Sequence, residues 1–116
     1  MATGTIQIPQ AARTLNIIIT AGKTLTITPG NNTNNIGALV LGYGAGEEAA
    51  GVYVIGGFGS NSATYKELVT LNAASIITAT KLATGWTFAN TSSNHAISVG
   101  ITLFETEPGT ATLTVA

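Results

Sequence analysis

Along most of this 116-residue chain polar and apolar residues alternate with a period of two, and the 3.6-residue period of a helix is nearly absent. Leu15, Ile17 and Ile19 fall on one face of a first strand. After Ala21-Gly22, Lys23, Leu25 and Ile27 alternate with Thr24, Thr26 and Thr28. Two such runs around a small-residue connection read as a β-hairpin. Pro29-Gly30-Asn31-Asn32 turns the chain and Thr33-Asn34-Asn35 extends the loop. Asparagine suits such tips because it tolerates left-handed backbone and bonds its own main chain. From Ile36 to Tyr43 the residues are almost wholly apolar, which predicts a strand buried on both faces.

Gly42, Gly44, Gly46 and Glu47-Glu48 break that run, and a strand resumes from Gly51 to Ile55. Gly56-Gly57, Gly59 and Ser60-Asn61-Ser62 form a second loop. Further strands are predicted from Tyr65 to Leu71 and from Ser75 to Ala79, where β-branched Val69 and Thr70 weigh against a helix. Two more, Gly85 to Asn90 and His95 to Phe104, flank the loop Thr91-Ser92-Ser93-Asn94. In the second, Ile97, Val99, Ile101 and Leu103 line one face. Ala96, Ser98, Gly100 and Thr102 line the other, a small-residue face that another strand or subunit can approach closely. Pro108-Gly109 turns into a last strand, Thr110 to Val115. Eight or nine short strands with frequent turns predict one all-β domain over residues 1–116, a jelly-roll-like antiparallel β-sandwich. Residues 1–35 form its N-terminal hairpin and Asn-rich loop, and 36–116 its knob-like core.

Composition narrows the setting. Only 8% of residues are charged, there is no Asp and no Cys, and the net charge is -1. The four cations, Arg13, Lys23, Lys66 and Lys81, are scattered, which argues against a nucleic-acid partner. No apolar stretch approaches the roughly 20 residues that span a bilayer, so membrane insertion is not expected. Near-zero net charge favours packing against copies of the same chain. Neutral hydroxyls and amides dress extracellular adhesins, fibres and virus shells, yet Met1-Ala2-Thr3-Gly4-Thr5 carries no secretory leader pattern. The expectation is a virion protein made in the host cytoplasm and released by lysis.

The titratable residues make no catalytic constellation. Glu47, Glu48, Glu67, Glu105 and Glu107 are the only acids, and they read as solvated loop carboxylates. His95, the only histidine, follows Ser92-Ser93-Asn94, but a triad also needs an orienting acid and an oxyanion site. A surface or interface position at a hairpin shoulder is the plainer reading. Gly42-Tyr43-Gly44-Ala45-Gly46 lacks the helix and lysine of a nucleotide loop. No cofactor, metal or catalytic residue is expected. Asn31-Asn32-Thr33 and Asn90-Thr91-Ser92 match the glycosylation sequon by chance in an Asn- and Thr-rich chain. Trp86, Phe88 and Tyr53 read as core, whereas Tyr43 and Phe58, among loop glycines, read as exposed. The contact residues expected for a receptor or partner are therefore Asn31, Asn32, Asn34, Asn35, Tyr43, Phe58, Asn61 and His95.

Four segments carry a resemblance. They are Leu39-Val40-Leu41-Gly42-Tyr43-Gly44, Gly51-Val52-Tyr53-Val54-Ile55-Gly56-Gly57, Trp86-Thr87-Phe88-Ala89-Asn90-Thr91-Ser92 and Ala96-Ile97-Ser98-Val99-Gly100-Ile101-Thr102-Leu103-Phe104. In texture they resemble the globular heads of bacteriophage tail fibres and related trimeric virion proteins. The resemblance implies a jelly-roll-like sandwich, assembled as a homotrimer on the particle, touching other virion proteins and a host-surface glycan. It carries over no catalytic residue. Attachment to the host cell is the function it implies. A decoration, cement or head-fibre protein that stabilises the capsid is the alternative, and a small glycan hydrolase stands third.

Overall fold

The computed structural model describes residues 12–44 and 49–116 together with Gly4. Nine strands fill these residues, without a helix among them: β1 (Ala12–Ile19), β2 (Thr24–Thr28), β3 (Asn35–Gly44), β4 (Ala49–Phe58), β5 (Lys66–Asn72), β6 (Ile77–Leu82), β7 (Gly85–Asn90), β8 (Ile97–Glu105) and β9 (Thr112–Val115). They form two antiparallel sheets, ordered β1-β8-β3-β4-β5 and β6-β7-β2-β9. The all-β sandwich expected from period-two alternation is what the chain forms.

The core follows directly from the alternation. Ile97, Val99, Ile101 and Leu103 on β8 all point inward and are buried, as do Ile36, Ala38 and Val40 on β3. From the other sheet Leu25, Ile27, Trp86 and Phe88 close over them. Tyr53 meets Phe88 edge-on at 5.4 Å, an arrangement favoured by ring quadrupoles. Its hydroxyl accepts the buried N–H of Ala74 at 3.2 Å. Trp86 donates its indole N–H to the carbonyl of Glu67 at 2.8 Å, tying the two sheets together near β5.

The N-terminal hairpin does not form. β1 pairs with β8 in one sheet, while β2 pairs with β7 and β9 in the other. The turn at Thr20–Lys23 therefore carries the chain across the sandwich. Asn90, buried on β7, captures the groups that would otherwise close a hairpin. Its amide donates to the Ile19 and His95 carbonyls at 2.9 and 2.8 Å, and its backbone carbonyl takes the Gly22 N–H at 3.1 Å. β1 and β2 thus belong to different sheets of the one sandwich.

β3 differs from expectation in two ways. It is buried on one face only: Leu39, Leu41 and Tyr43 are exposed. And Gly42 and Gly44 lie within the strand, pointing inward, instead of ending it. A Cβ at Gly42 would sit 2.5 Å from the Ile77 side chain. These positions are glycine because β6 and its approach pack directly on the β3 backbone.

Candidate functional site

One end of the sandwich gathers most of the polar loop residues. Asn35 opens β3 opposite Phe58 on β4 and beside Glu105 at the end of β8, so the loops 29–34, 59–65 and 106–111 converge there. The first loop is shaped by Asn31, whose side-chain carbonyl accepts the backbone N–H of Thr33 at 3.0 Å and of Asn34 at 2.7 Å. This is the local bonding that makes Asn a turn residue. The Asn31 amide and the Thr33 hydroxyl both donate to the Glu107 carboxylate, at 3.3 and 2.7 Å. Asn34 is buried; it donates to the Pro29 carbonyl at 2.8 Å and accepts the Glu107 N–H at 3.0 Å. Asn35 exchanges backbone bonds with Thr106 through that residue's hydroxyl and N–H, at 2.8 and 2.9 Å.

Asn32 joins this loop to the second. Its side-chain carbonyl accepts both the N–H and the hydroxyl of Ser60 at 3.0 Å and the Asn61 amide at 3.4 Å. Asn61 in turn bonds the Ala63 N–H at 3.0 Å, and its carbonyl accepts Lys66 Nζ at 2.7 Å. The exposed rim made by Asn32, Ser60, Asn61 and Phe58 is thus held rigid by its own polar groups. A weak ligand gains from such rigidity, since less ordering is left to do on binding.

Beside the rim runs a groove of about 450 Å³ between the start of β5 and the β6–β7 turn, lined by Ser62, Tyr65, Lys66, Glu67, Lys81 and Leu82. Tyr65 is largely exposed. Desolvation, reinforced by the neighbouring Glu67 carboxylate, pushes its hydroxyl pKa up. Lys66 is buried, its ammonium bonded to Asn61 and Thr64, and burial pulls its pKa down. Glu67 and Lys81 face each other at 3.8 Å across the gap between the sheets. By contrast, the gap in the core among Ile19, Val40, Tyr53 and Phe88 measures about 10 Å³, which leaves no room for a ligand.

Glu105 is not a solvated loop acid. Its side chain is fully buried, and its carboxylate accepts Arg13 Nη2 at 2.8 Å and the N–H groups of Gly109 and Ala111 at 2.5 and 2.9 Å. That geometry fixes the 105–111 turn. Glu47 and Glu48 lie outside the described residues. Among the described residues, no group of three His, Cys, Asp or Glu side chains is placed to hold a metal.

No protein family and no curated protein matches the chain. Solved structures do. A crystal structure of the tailspike protein gp49 from Acinetobacter baumannii bacteriophage Fri1, described as a capsular polysaccharide depolymerase, matches with a TM-score of 0.55 at 12% identity. The match covers 90% of this chain and 19% of that one. The tailspike protein of Acinetobacter phage vB_ApiP_P1 matches with a TM-score of 0.43 at 14% identity, over 98% of this chain and 24% of that one. The likeness to gp49 is one of fold. In both cases the chain spans less than a quarter of the length of the protein it matches.

The structure brings together six of the eight expected contact residues and separates two. Asn31, Asn32, Asn34, Asn35, Phe58 and Asn61 share the loop end, whereas Tyr43 and His95 sit at the opposite end, where β3 finishes and β8 begins. Within the six, Asn34 is buried and its side chain is bonded inside the fold. His95 is half-buried on the crossing from β7 to β8, between sheets, and does not stand at a hairpin shoulder. The Ser92 hydroxyl accepts the His95 backbone N–H at 3.0 Å and so helps to shape that crossing. Sequence reasoning missed the Tyr65–Lys66–Lys81 groove. Its lysines come from different sheets, and the only local signal was an aromatic next to the Ser60-Asn61-Ser62 loop.

Proposed function

We propose that the chain is a bacteriophage tail surface domain, carried on the virion as a homotrimer, that attaches the particle to a host-surface glycan. The observation that carries this reading is the loop end itself, where Asn32 bridges two loops into a rigid rim of amides and hydroxyls next to exposed Phe58 and Tyr65. Neutral donors and acceptors beside aromatic faces match the chemistry of a sugar ring, which offers hydroxyls at its edge and C–H groups on its face. The near-absence of charge and the likeness in fold to phage tailspikes support the same setting. A single shallow rim binds weakly, and three linked copies raise avidity by about 10²–10⁴.

Attachment is favoured over hydrolysis by the state of the three acids among the described residues. Glycoside hydrolysis needs two carboxyls about 5–9.5 Å apart flanking the bond. Glu105 is committed to Arg13 and two backbone N–H groups, Glu107 to Asn31 and Thr33, and Glu67 faces Lys81. The test is competition. The purified protein is added to host cells before phage, and adsorption is counted alongside gold-antibody labelling of particles. The reading expects blocked adsorption, gold at the tail, and at least a tenfold loss of blocking by Asn32→Ala, about 1.4 kcal/mol. Gold spread over the head with undiminished adsorption would overturn it in favour of capsid decoration.

A further inference from the structure

The two sheets present opposite chemistries to the outside. On the four-stranded sheet most outward positions are threonines in register: Thr26 stands beside Thr87 and Thr114, Thr28 beside Thr112, and Thr80 beside Thr87. This is the apolar-in, polar-out alternation of a solvated antiparallel sheet. The five-stranded sheet breaks that rule. Leu41 pairs with Val52 and Gly100 in one row, and Leu39 with Val54 and Thr102 in the next. Val69 extends the second row onto β5, Ile18 and Tyr43 flank the face at one end, and Phe104 at the other.

Seven of these side chains, Ile18, Leu39, Leu41, Tyr43, Val54, Val69 and Phe104, are each 39–58% exposed. At roughly 200 Å² for a fully exposed side chain of this size, they present about 700 Å² of apolar surface. The largest apolar patch on a typical monomer is about 300–600 Å², and a standard-size interface takes about 800 Å² from each partner. A shallow depression of about 400 Å³ over Gly100, between Ile18, Leu41 and Tyr43, gives the face relief into which a facing side chain can seat.

We infer that this face is buried against a second copy of the same chain. In the Leu41 and Leu39 rows no outward position is charged; the nearest charge is Glu67, beside Gly56 at the β5 edge, where it faces Lys81, so those rows offer no counter-ion to an acidic or basic partner and no cation to an anionic membrane surface. What complements an uncharged apolar sheet is another of the same kind, and this molecule supplies one. The net charge of -1 adds little repulsion between copies. The inference shares self-association with the homotrimer proposed above, so a monomer would sink both, whereas glycan attachment is tested separately by the adsorption assay.

Light scattering on the eluting protein tests it. The expected mass is a whole multiple, two or more, of 11.7 kDa. Leu41→Lys with Val54→Lys should bring it to the single-chain mass with the β-sheet circular dichroism retained, because both side chains are exposed in the single chain. Thr80→Lys, on the other sheet, should leave the assembly unchanged. Hydroxyl-radical footprinting of the unaltered protein gives a second readout that needs no variant: Leu41, Tyr43 and Phe104 should be protected together. A monomer at the highest attainable concentration, full labelling of those three residues, or an assembled mass that survives the double substitution would each overturn the inference.

Discussion

Glu105→Ala should destabilise the fold strongly, and the size of the loss can be worked from the contacts. The carboxylate is fully buried and serves three donors: Arg13 Nη2, the Gly109 N–H and the Ala111 N–H. Ala111 is itself buried, so its N–H is left without an acceptor, at about 1–3 kcal/mol. Gly109 is exposed and finds water, adding little. Arg13, whose side chain is about one-third exposed although its Nε is buried, loses its carboxylate partner, adding about 1 kcal/mol. With the space vacated, the total is about 2–4 kcal/mol. A domain of this size has about 5–15 kcal/mol in all. The melting point should fall by about 8–16 °C, at roughly 4 °C per kcal/mol. Glu105→Gln keeps the volume and one oxygen, and sets its new amide NH2 against only one of the donors, so it should lose about half as much. Urea unfolding with an unchanged slope reads both values. A loss under about 0.5 kcal/mol for Glu105→Ala, or equal losses for the two variants, would refute the reasoning.

Two further predictions concern backbone and burial. Gly30 and Gly22 both have positive φ, 93° and 75°, but a Cβ at Gly30 would collide with the Thr110 carbonyl while one at Gly22 meets open space. Gly22→Ala should therefore cost about 1–2 kcal/mol of left-handed strain and Gly30→Ala clearly more, measured by the same unfolding curves; equal costs would mean the Gly30–Thr110 approach is not tight. Burial lowers the Lys66 pKa below its ordinary 10.5, so just below that pH the unfolded chain holds more protons than the folded one. Stability contributed by Lys66 then rises as pH climbs toward 10.5 and is withdrawn as pH falls, and Lys66→Met should flatten that stretch of the urea-midpoint profile. A slope unchanged by the substitution would place the ammonium in solvent.

The candidate site was partly legible. Asn31, Asn32 and Asn61 were readable as loop residues because turn chemistry is local, and Phe58 as exposed because glycines surround it. That Asn34 is buried was not readable, since its burial depends on Glu107, 73 positions away along the chain. The same holds for Glu105: its carboxylate looks solvated until β1 brings Arg13 beside it.

Alternation alone determined that the chain is a β-sandwich and which faces of β2 and β8 point inward, because a strand's period of two sends apolar and polar residues to opposite sides whatever it pairs with. Pairing itself is a long-range choice. Lys23–Thr28 fits a hairpin with β1 as well as it fits β7 and β9, and the tertiary structure settles the matter through Asn90, which occupies the turn's backbone groups from β7, the strand that pairs with β2. Likewise the apolar run at Ile36–Tyr43 is the same string whether both faces are covered or one is left open. Only the packed structure, with a single sheet laid against β3, decides that Leu39, Leu41 and Tyr43 face outward.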